Sequence, residues 1–232
     1  EYMFPKAHAA AYVMMAWRIA YCKIHYPLAY YGAFFSIRAK AFSYEIMCQG
    51  QKHLESVMVD YKKRQDTLSN KEKDAMGDMR IVQEMYARGF EFEPIDIFRA
   101  QSRSFQIVDG KLMPSLNSID GLGEKAADAI VEARAVLGKT RDPQRSDMIL
   151  DQAYFQEMEQ LAKDSGSQFL LGYVQMLVDA ANLRSVVRVL RMGRDADFLA
   201  TVLFPGGAIP AATVVKAADG EPLESIYFSS LF

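Results

Sequence analysis

Two glycines and a lysine near the middle of the sequence are the residues whose types and spacing most clearly suggest chemistry. The segment Ile119-Asp120-Gly121-Leu122-Gly123 precedes Lys125 at the start of a predicted helix. Two glycines allow a tight turn whose backbone N–H groups point outward beside the positive N-terminus of that helix. Such a turn binds phosphate groups, and a nearby lysine adds a charge contact that fixes position without reading sequence. We therefore expect Gly121, Leu122, Gly123 and Lys125 to contact a nucleic-acid backbone.

The same segment matches the helix-hairpin-helix pattern. Apolar positions flank the two glycines, and small and apolar residues (Ala126, Ala127, Ile130) follow on the next helix. The alternative is a plain glycine-rich turn between a strand and a helix, and the motif by itself leaves both interpretations open.

A second group of candidate residues stands at the front of the chain. Pro5 precedes a predicted helix, which places Lys6 and His8 in or beside its first turn and Tyr12 one turn beyond His8. Lys6 and His8 are well placed to meet a phosphate, and Tyr12 to stack or pack. The alternative is a solvated lysine, a capping histidine and a core tyrosine.

Other chemistry has little support in the sequence. Cys22 and His25, and Cys48 and His53, do not form a convincing zinc pattern, so we predict no metal site. There is no Ser-His-Asp arrangement, phosphate-binding P-loop or dinucleotide fingerprint. We expect one set of aromatic residues to form a core rather than a base-stacking platform: Tyr21, Tyr26, Tyr30, Tyr31, Phe34 and Phe35.

Composition restricts the class of protein further. The 232 residues carry a net charge of −2, half are apolar and 24% are charged, which excludes a disordered chain and general polyanion binding. The first 40 residues are nevertheless basic, with five cations against Glu1. Two cysteines favour a reducing, cytoplasmic location. The longest apolar run, 9–17, is too short for membrane insertion, and a start at Glu1 suggests a fragment.

The elements that must position these residues are mostly helices. Hydrophobic periodicity predicts helices over 7–31 with an interruption at Pro27, 44–61, 69–87, 124–136, 147–163 and 168–192. Alternating residues and the Asp109-Gly110 turn predict a small β-hairpin region at about 90–116. The fold class is therefore mainly α, divided into a helical region (1–88), a small sheet with the glycine motif (89–136), a polar linker (137–146) and a second helical region (147–232).

Residues 1–134 resemble the C-terminal region of PolC-type DNA polymerase III α subunits. The matching stretches are YMFPKAHAAAYVMMAWRIAYCKIHYPLAYYGAFFSIRA, SNKEKDAM, ARGFEFEPIDIFRAQSRSF and LMPSLNSIDGLGEKAADAIVEARA, in family order. The resemblance implies that the first stretch belongs to the fingers and the Gly-Leu-Gly hairpin to the duplex-binding region. Lys6, His8 and Tyr12 would then face the nucleotide or template, and the hairpin would face primer-template DNA.

The resemblance also implies what this chain lacks. The aspartates with which this polymerase family holds Mg²⁺ lie upstream of any residue present here, so we expect no catalytic residue, no cofactor and no polymerisation by this chain alone. Asp120 stands where the family usually has proline, which adds a negative charge beside the hairpin.

Residues from about 140 to 210 resemble the C-type stalk subunits of V/A-type ATPases. The AYF helix, the segment Asp179-Ala180-Ala181-Asn182-Leu183-Arg184 and the Pro205-Gly206-Gly207 break carry this second resemblance. It implies an all-helical, non-catalytic protein that seats the central-stalk subunits on the membrane rotor ring. Asn182, Arg184, Arg188 and Arg191 would be helix-packing or stalk-contact residues.

The end of the chain offers a further partner. Ser229-Ser230-Leu231-Phe232 faintly resembles the tail with which PolC-type polymerases bind the sliding clamp, although an apolar helix is the favoured interpretation. Together, the two resemblances predict a chimera. Its expected function is that of a DNA-binding polymerase fragment; the alternatives are a rotary-ATPase stalk subunit and a helical scaffold with neither activity.

Overall fold

The computed structural model describes residues 5–218, and the fold is mainly α. Ten α-helices and one β-hairpin lie in this part of the chain: α1 (Lys6–His25), α2 (Pro27–Ile37), α3 (Tyr44–Met47), α4 (Gln51–Lys63), α5 (Asn70–Ala87), β1 (Gln106–Val108), β2 (Lys111–Met113), α6 (Glu124–Thr140), α7 (Pro143–Asp164), α8 (Gln168–Arg191), α9 (Ala196–Val202) and α10 (Ala211–Ala218). None of the helices in this range is long and apolar enough to cross a membrane.

Local signals in the sequence account for where the helices break and start. Pro27 is the first residue of α2, where its missing N–H costs nothing, and so it separates α2 from α1. The predicted helix over 44–61 is two helices, because Gly50 at φ +96° separates α3 from α4. Ser69 and Glu72 form the expected capping box at the start of α5.

The sheet is smaller than the alternating pattern suggested. β1 and β2 pair antiparallel with Ile107 opposite Leu112, across the predicted turn in which Asp109 and Gly110 both have positive φ. Only a single bridge, from Phe92 to Leu112, extends this sheet toward residues 90–97. The alternation of Phe90, Phe92 and Ile95 therefore marks a segment that packs on the core without forming a strand, whereas Ile97 is exposed in a turn.

The described residues divide into two compact units, within Glu1–Val131 and within Glu132–Phe232. The division falls inside α6. Most of the segment predicted as a linker is helical, because α6 continues to Thr140 and α7 begins at Pro143. A polar stretch such as 137–146 forms solvated helix as readily as loop. The functional regions assigned from sequence remain predictions.

The core of the first unit is formed by α2, α4, α5 and the residues around β2. Tyr31, Phe35, Met79 and Leu112 are among its buried members, and Tyr30 and Phe34 pack against them. The expectation that the aromatic residues form a core is therefore confirmed for these four aromatics. It is wrong for Tyr21, which lies on the exposed helix α1, and for Tyr26, which lies exposed at the junction of α1 and α2.

The second unit is a group of helices in which α7 and α10 pack against α8. Val186, Val189, Leu199, Val202 and Val214 form its main buried cluster. Residues 204–209, which contain the predicted Pro205-Gly206-Gly207 break, connect α9 to the turn before α10 and are hydrogen-bonded to α8.

Candidate nucleic-acid interface

The glycine hairpin, residues Ile119–Gly123, is a tight turn that leads directly into α6. Gly121 has φ +84°, in the left-handed region that favours glycine, and a Cβ there would meet nothing within 4 Å. The Leu122 N–H donates to the Ile119 carbonyl (3.2 Å), and the Ala127 N–H donates to the Gly123 carbonyl (3.0 Å). The first N–H groups of α6 have no intrahelical acceptor and lie at its positive end.

Apolar contacts hold one side of the hairpin against a buried cluster. Leu122 and Ile119 are half-buried against a small cluster made of Ala100, Met113, Leu116 and Ala127. Leu122 therefore holds the turn, whereas Gly121 and Lys125 are exposed. This arrangement presents the backbone of the turn to solvent in a fixed conformation.

A polar network holds the other side of the hairpin. The Ser43 hydroxyl donates to the Asp120 carboxylate and also accepts from the Ile46 N–H as the N-cap of α3. The segment before Ser43 is held in turn by buried Asp78, whose carboxylate accepts from the N–H groups of Lys40 (3.0 Å) and Ala41 (2.9 Å). Burial raises the pKa of Asp78, while the two backbone N–H donors act in the opposite direction.

The acidic side chains near the hairpin are paired. The Arg103 guanidinium lies 2.8 Å from the Asp128 carboxylate and 3.5 Å from that of Glu124. Hydrogen bonds from Ser102 and Arg103 hold the pKa of Asp128 below its usual range. With Asp120 bound to Ser43, each of these three carboxylates has a partner. Lys125 has no ion-pair partner within residues 5–218.

A cleft of about 770 Å³ lies beside the hairpin, between it and the segment that joins α2 to α3. Lys40, Lys71 and Arg103 contribute cations to its lining. Asn117 also lines it, and the Asn117 Oδ1 atom is buried without a donor from the described residues. Sequence reasoning missed this cleft because its residues come from five separate segments with no shared motif.

The candidates at the front of the chain form a separate group at the start of α1. Lys6, His8 and Tyr12 are all exposed, and the rings of His8 and Tyr12 meet edge to face with centroids 4.5 Å apart. The alternative in which Tyr12 is a core residue is wrong, since its side chain is 63% exposed.

The four candidates on α8 have two different environments. Asn182 is buried, and its amide group both donates to the Phe204 carbonyl (2.9 Å) and accepts from the Phe204 N–H (2.8 Å). Arg184, Arg188 and Arg191 lie on one exposed side of α8, at spacings of four and three residues.

The predicted clamp-binding tail lies outside the described residues. Within residues 5–218, no three His, Cys, Asp or Glu side chains are grouped to hold a metal ion.

Part of this sequence is similar to PolC-type DNA polymerases. The chain is 47% identical over 137 residues to the DNA polymerase III PolC-type of Streptococcus suis (strain 98HAH33), and 47% identical over 136 residues to that of Streptococcus pneumoniae serotype 2. The protein from Streptococcus pyogenes serotype M5 is 46% identical over 136 residues. Each match covers 58% of this chain and spans about 9% of the length of the curated relative.

A second similarity covers the C-terminal half of the chain and overlaps the first. The family described as ATP synthase (C/AC39) subunit matches residues 109–227, just over half of the sequence. This match starts at Asp109, ahead of the expected start near residue 140, and so includes the hairpin and α6. The chain belongs to the ATP synthase (C/AC39) subunit family through residues 109–227, and it joins to that family a sequence similar to PolC-type DNA polymerase III.

Proposed function

We propose that the first unit binds the backbone of duplex DNA through the hairpin and the N-terminus of α6. The observation that carries this proposal is the geometry of the hairpin. Leu122 is half-buried against the apolar cluster, whereas Gly121, which has a positive φ, and Lys125 are both exposed. Outward N–H groups at a helix N-terminus bind phosphate without reading base sequence. The similarity to PolC-type polymerases supports duplex primer-template DNA as the ligand.

The charges beside the hairpin are only partly balanced. Arg103 neutralises one of the two charges of Glu124 and Asp128, whereas Asp120 keeps its negative charge because its partner Ser43 is neutral. Lys125, in the first turn of α6, is the residue that we propose supplies positive charge to the phosphate. At the start of α1, Lys6, His8 and Tyr12 would face the nucleotide or template, as their resemblance to the fingers implies.

This function is binding without polymerisation. Mg²⁺-dependent phosphoryl transfer needs carboxylates placed to hold the metal, and the resemblance implies that those aspartates lie upstream of the residues present here. We therefore propose no catalytic step for this chain. DNA binding of this kind belongs in the cytoplasm, which the two unpaired cysteines also favour.

The test is a fluorescence-anisotropy titration of a labelled primer-template duplex with the wild type, Gly121→Ala and Gly110→Ala. Both glycines have positive φ and open space where a Cβ would lie, so both substitutions introduce the same backbone strain. We expect Gly121→Ala to weaken DNA binding at least about fivefold and Gly110→Ala to leave it unchanged, because only Gly121 lies in the proposed contact.

Salt dependence completes this experiment. Counterion release predicts that wild-type affinity falls steeply between about 50 and 200 mM salt. Absence of salt-dependent binding by a folded chain, checked by circular dichroism, would refute the proposal. An equal loss of affinity in both glycine variants would show that the effect comes from stability rather than from contact.

The family match favours a second candidate function, that of a structural subunit in the central stalk of a rotary ATPase. We propose that Arg188 and Arg191, in the last turn of α8, contact an acidic surface of another stalk protein.

Purified central-stalk subunits should bind the wild type but not Arg188→Glu/Arg191→Glu. Lys62→Glu/Lys63→Glu on α4 is the matched charge reversal and should still bind; retention by both variants would exclude this surface.

A further inference from the structure

Helix α1 has apolar residues around its whole circumference and is nevertheless exposed. None of its 20 residues is buried, and Trp17 is 76% exposed, Ile24 66% and Met14 58%. A helix that is apolar on all sides is normally covered by other structure, and large exposed apolar patches mark interaction sites. This surface is therefore unusual for a water-facing helix.

One stripe of α1 has the spacing of a coiled-coil seam. Ala7, Ala10, Met14, Trp17, Tyr21 and Ile24 alternate at three and four residues, so they occupy positions a and d of a heptad repeat. We call these six residues the α1 stripe. At 1.5 Å per residue the helix is about 30 Å long, enough for nearly three heptads.

The opposite side of α1 is the side that meets the rest of the first unit. The Lys23 ammonium lies 2.7 Å from the Glu84 carboxylate of α5, and the Arg88 guanidinium donates to the Lys23 carbonyl (3.0 Å). Lys23 is at heptad position c, well away from positions a and d. The α1 stripe is thus directed away from these contacts and is free to receive a second helix.

The charges beside the stripe specify what kind of helix fits. The charged or titratable residues at the flanking e and g positions are Lys6, Arg18 and His25, and α1 contains no Asp or Glu. Opposite charges at e and g positions select coiled-coil partners. A second copy of α1 would bring no carboxylate to these positions, whereas a partner with acidic flanks would pair with them.

We propose that the α1 stripe is a docking surface for an α-helix that carries an apolar heptad stripe flanked by Asp or Glu. Aliphatic Met14 and Ile24 in the stripe favour a helical partner over a stack of nucleic-acid bases. This inference goes beyond both proposed functions and does not depend on either of them. It shares only Lys6 with the residues proposed to face a nucleotide or template, since His8 and Tyr12 lie at heptad positions b and f.

The experiment uses Trp17, the single tryptophan of the chain, as the reporter. The probe is a 28-residue peptide of four heptads with Leu at a and d and Glu at e and g, compared with the same peptide carrying Lys at e and g. We expect a saturable blue shift of Trp17 emission with the Glu peptide, and at least tenfold weaker binding of the Lys peptide.

Matched variants locate the contact. Met14→Glu/Ile24→Glu disrupts the stripe and should abolish binding of the Glu peptide. Met15→Glu/Ile19→Glu changes two apolar residues at positions b and f that are also exposed, by 58% and 52%, and should leave binding intact. All four side chains are exposed, so circular dichroism should show both variants folded.

Four outcomes would overturn the proposal. The first is no blue shift with either peptide, and the second is equal affinity for both. The third is a dimer in sedimentation experiments that Met14→Glu/Ile24→Glu dissociates, because a second copy would then occupy the stripe. The fourth is a blue shift with anionic phospholipid vesicles or oligo-dT but not with the Glu peptide.

Discussion

Two glycine-containing loops, one in each unit, are held in opposite ways. In the second unit, Asn182 bonds to both backbone groups of Phe204, and the Asp179 carboxylate accepts from the N–H groups of Ala208 and Ile209 (3.1 Å each). In the first unit, the hairpin around Gly121 rests on apolar contacts below it and on a polar bond from Ser43 to Asp120.

The two loops therefore need glycine for different reasons. A Cβ at Gly207 would overlap the Asp179 carboxylate, so this glycine is required by packing. A Cβ at Gly121 would meet open space, so that glycine is required by its positive φ. The loop of residues 204–209 donates backbone N–H groups to α8, so its role is structural. The hairpin uses the Leu122 N–H internally, but the N–H groups of Gly121 and Gly123 find no acceptor among the described residues, which suits this loop to bind a ligand.

The largest expected effect tests the internal loop. Asn182→Ala removes both bonds to Phe204 and leaves a cavity at a site that is 1% exposed. We expect a loss of about 2–4 kcal/mol in the free energy of unfolding, measured by urea denaturation. Asn70→Ala, at an exposed position, should change stability by less than about 0.5 kcal/mol. Equal effects of the two variants would contradict the structural role of Asn182.

A second substitution separates packing from backbone strain. Gly207→Ala should destabilise the protein by about 1–3 kcal/mol, because the new methyl group overlaps the Asp179 carboxylate. In an Asp179→Ala background the same change should cost much less, and a double-mutant cycle measures this difference. Gly121→Ala should show no coupling to any neighbouring side chain; a coupling there would remove the distinction between the loops.

The role of buried Asp78, which holds the segment before Ser43, can be tested by the pH dependence of stability. Because the pKa of Asp78 is raised in the folded protein, ionisation of Asp78 lowers the free energy of unfolding. This loss of stability disappears as the pH falls through the folded pKa toward the ordinary aspartate value of 3.8. Asp78→Asn keeps an acceptor oxygen without the charge. It should therefore be more stable than wild type at pH 7, and this advantage should shrink toward pH 4. An advantage that is independent of pH would exclude this cause.

The smallest effect is expected from Ser43→Ala, which releases Asp120. We expect a loss of stability of about 0.5–1 kcal/mol from the missing N-cap. We also expect a loss of DNA affinity of about two- to fivefold, which corresponds to the free energy of about one weak hydrogen bond. Ser69→Ala removes the N-cap of α5 and should lower stability without changing DNA affinity. Titration of duplex DNA with both variants separates capping from the positioning of the hairpin.

The features that sequence predicted are those that depend on nearby residues. The capping box of Ser69 and Glu72, the Asp109-Gly110 turn and the break at Pro27 each arise within four residues of chain, so local patterns were sufficient. The pairing of Arg103 with Asp128 and of Asn182 with Phe204 spans more than twenty residues and left no local pattern.

The environment of α1 could not be predicted for a related reason. The apolar periodicity of α1 indicated a buried helix. Such a pattern shows that a helix face is apolar, but it does not show whether another part of the chain packs against that face. Tyr12, Tyr21 and Tyr26 therefore look like core residues in the sequence but are exposed in the structure.

The different burial of the two thiols has a practical consequence for labelling. Burial raises the pKa of Cys48 far above its usual range, so at neutral pH it holds its proton and reacts slowly with alkylating dyes. Cys22 is exposed on α1 at heptad position b, beside the stripe but outside it. A maleimide fluorophore should therefore attach selectively to Cys22 in the unmodified chain, which gives α1 a distance probe for energy-transfer measurements without any engineered cysteine.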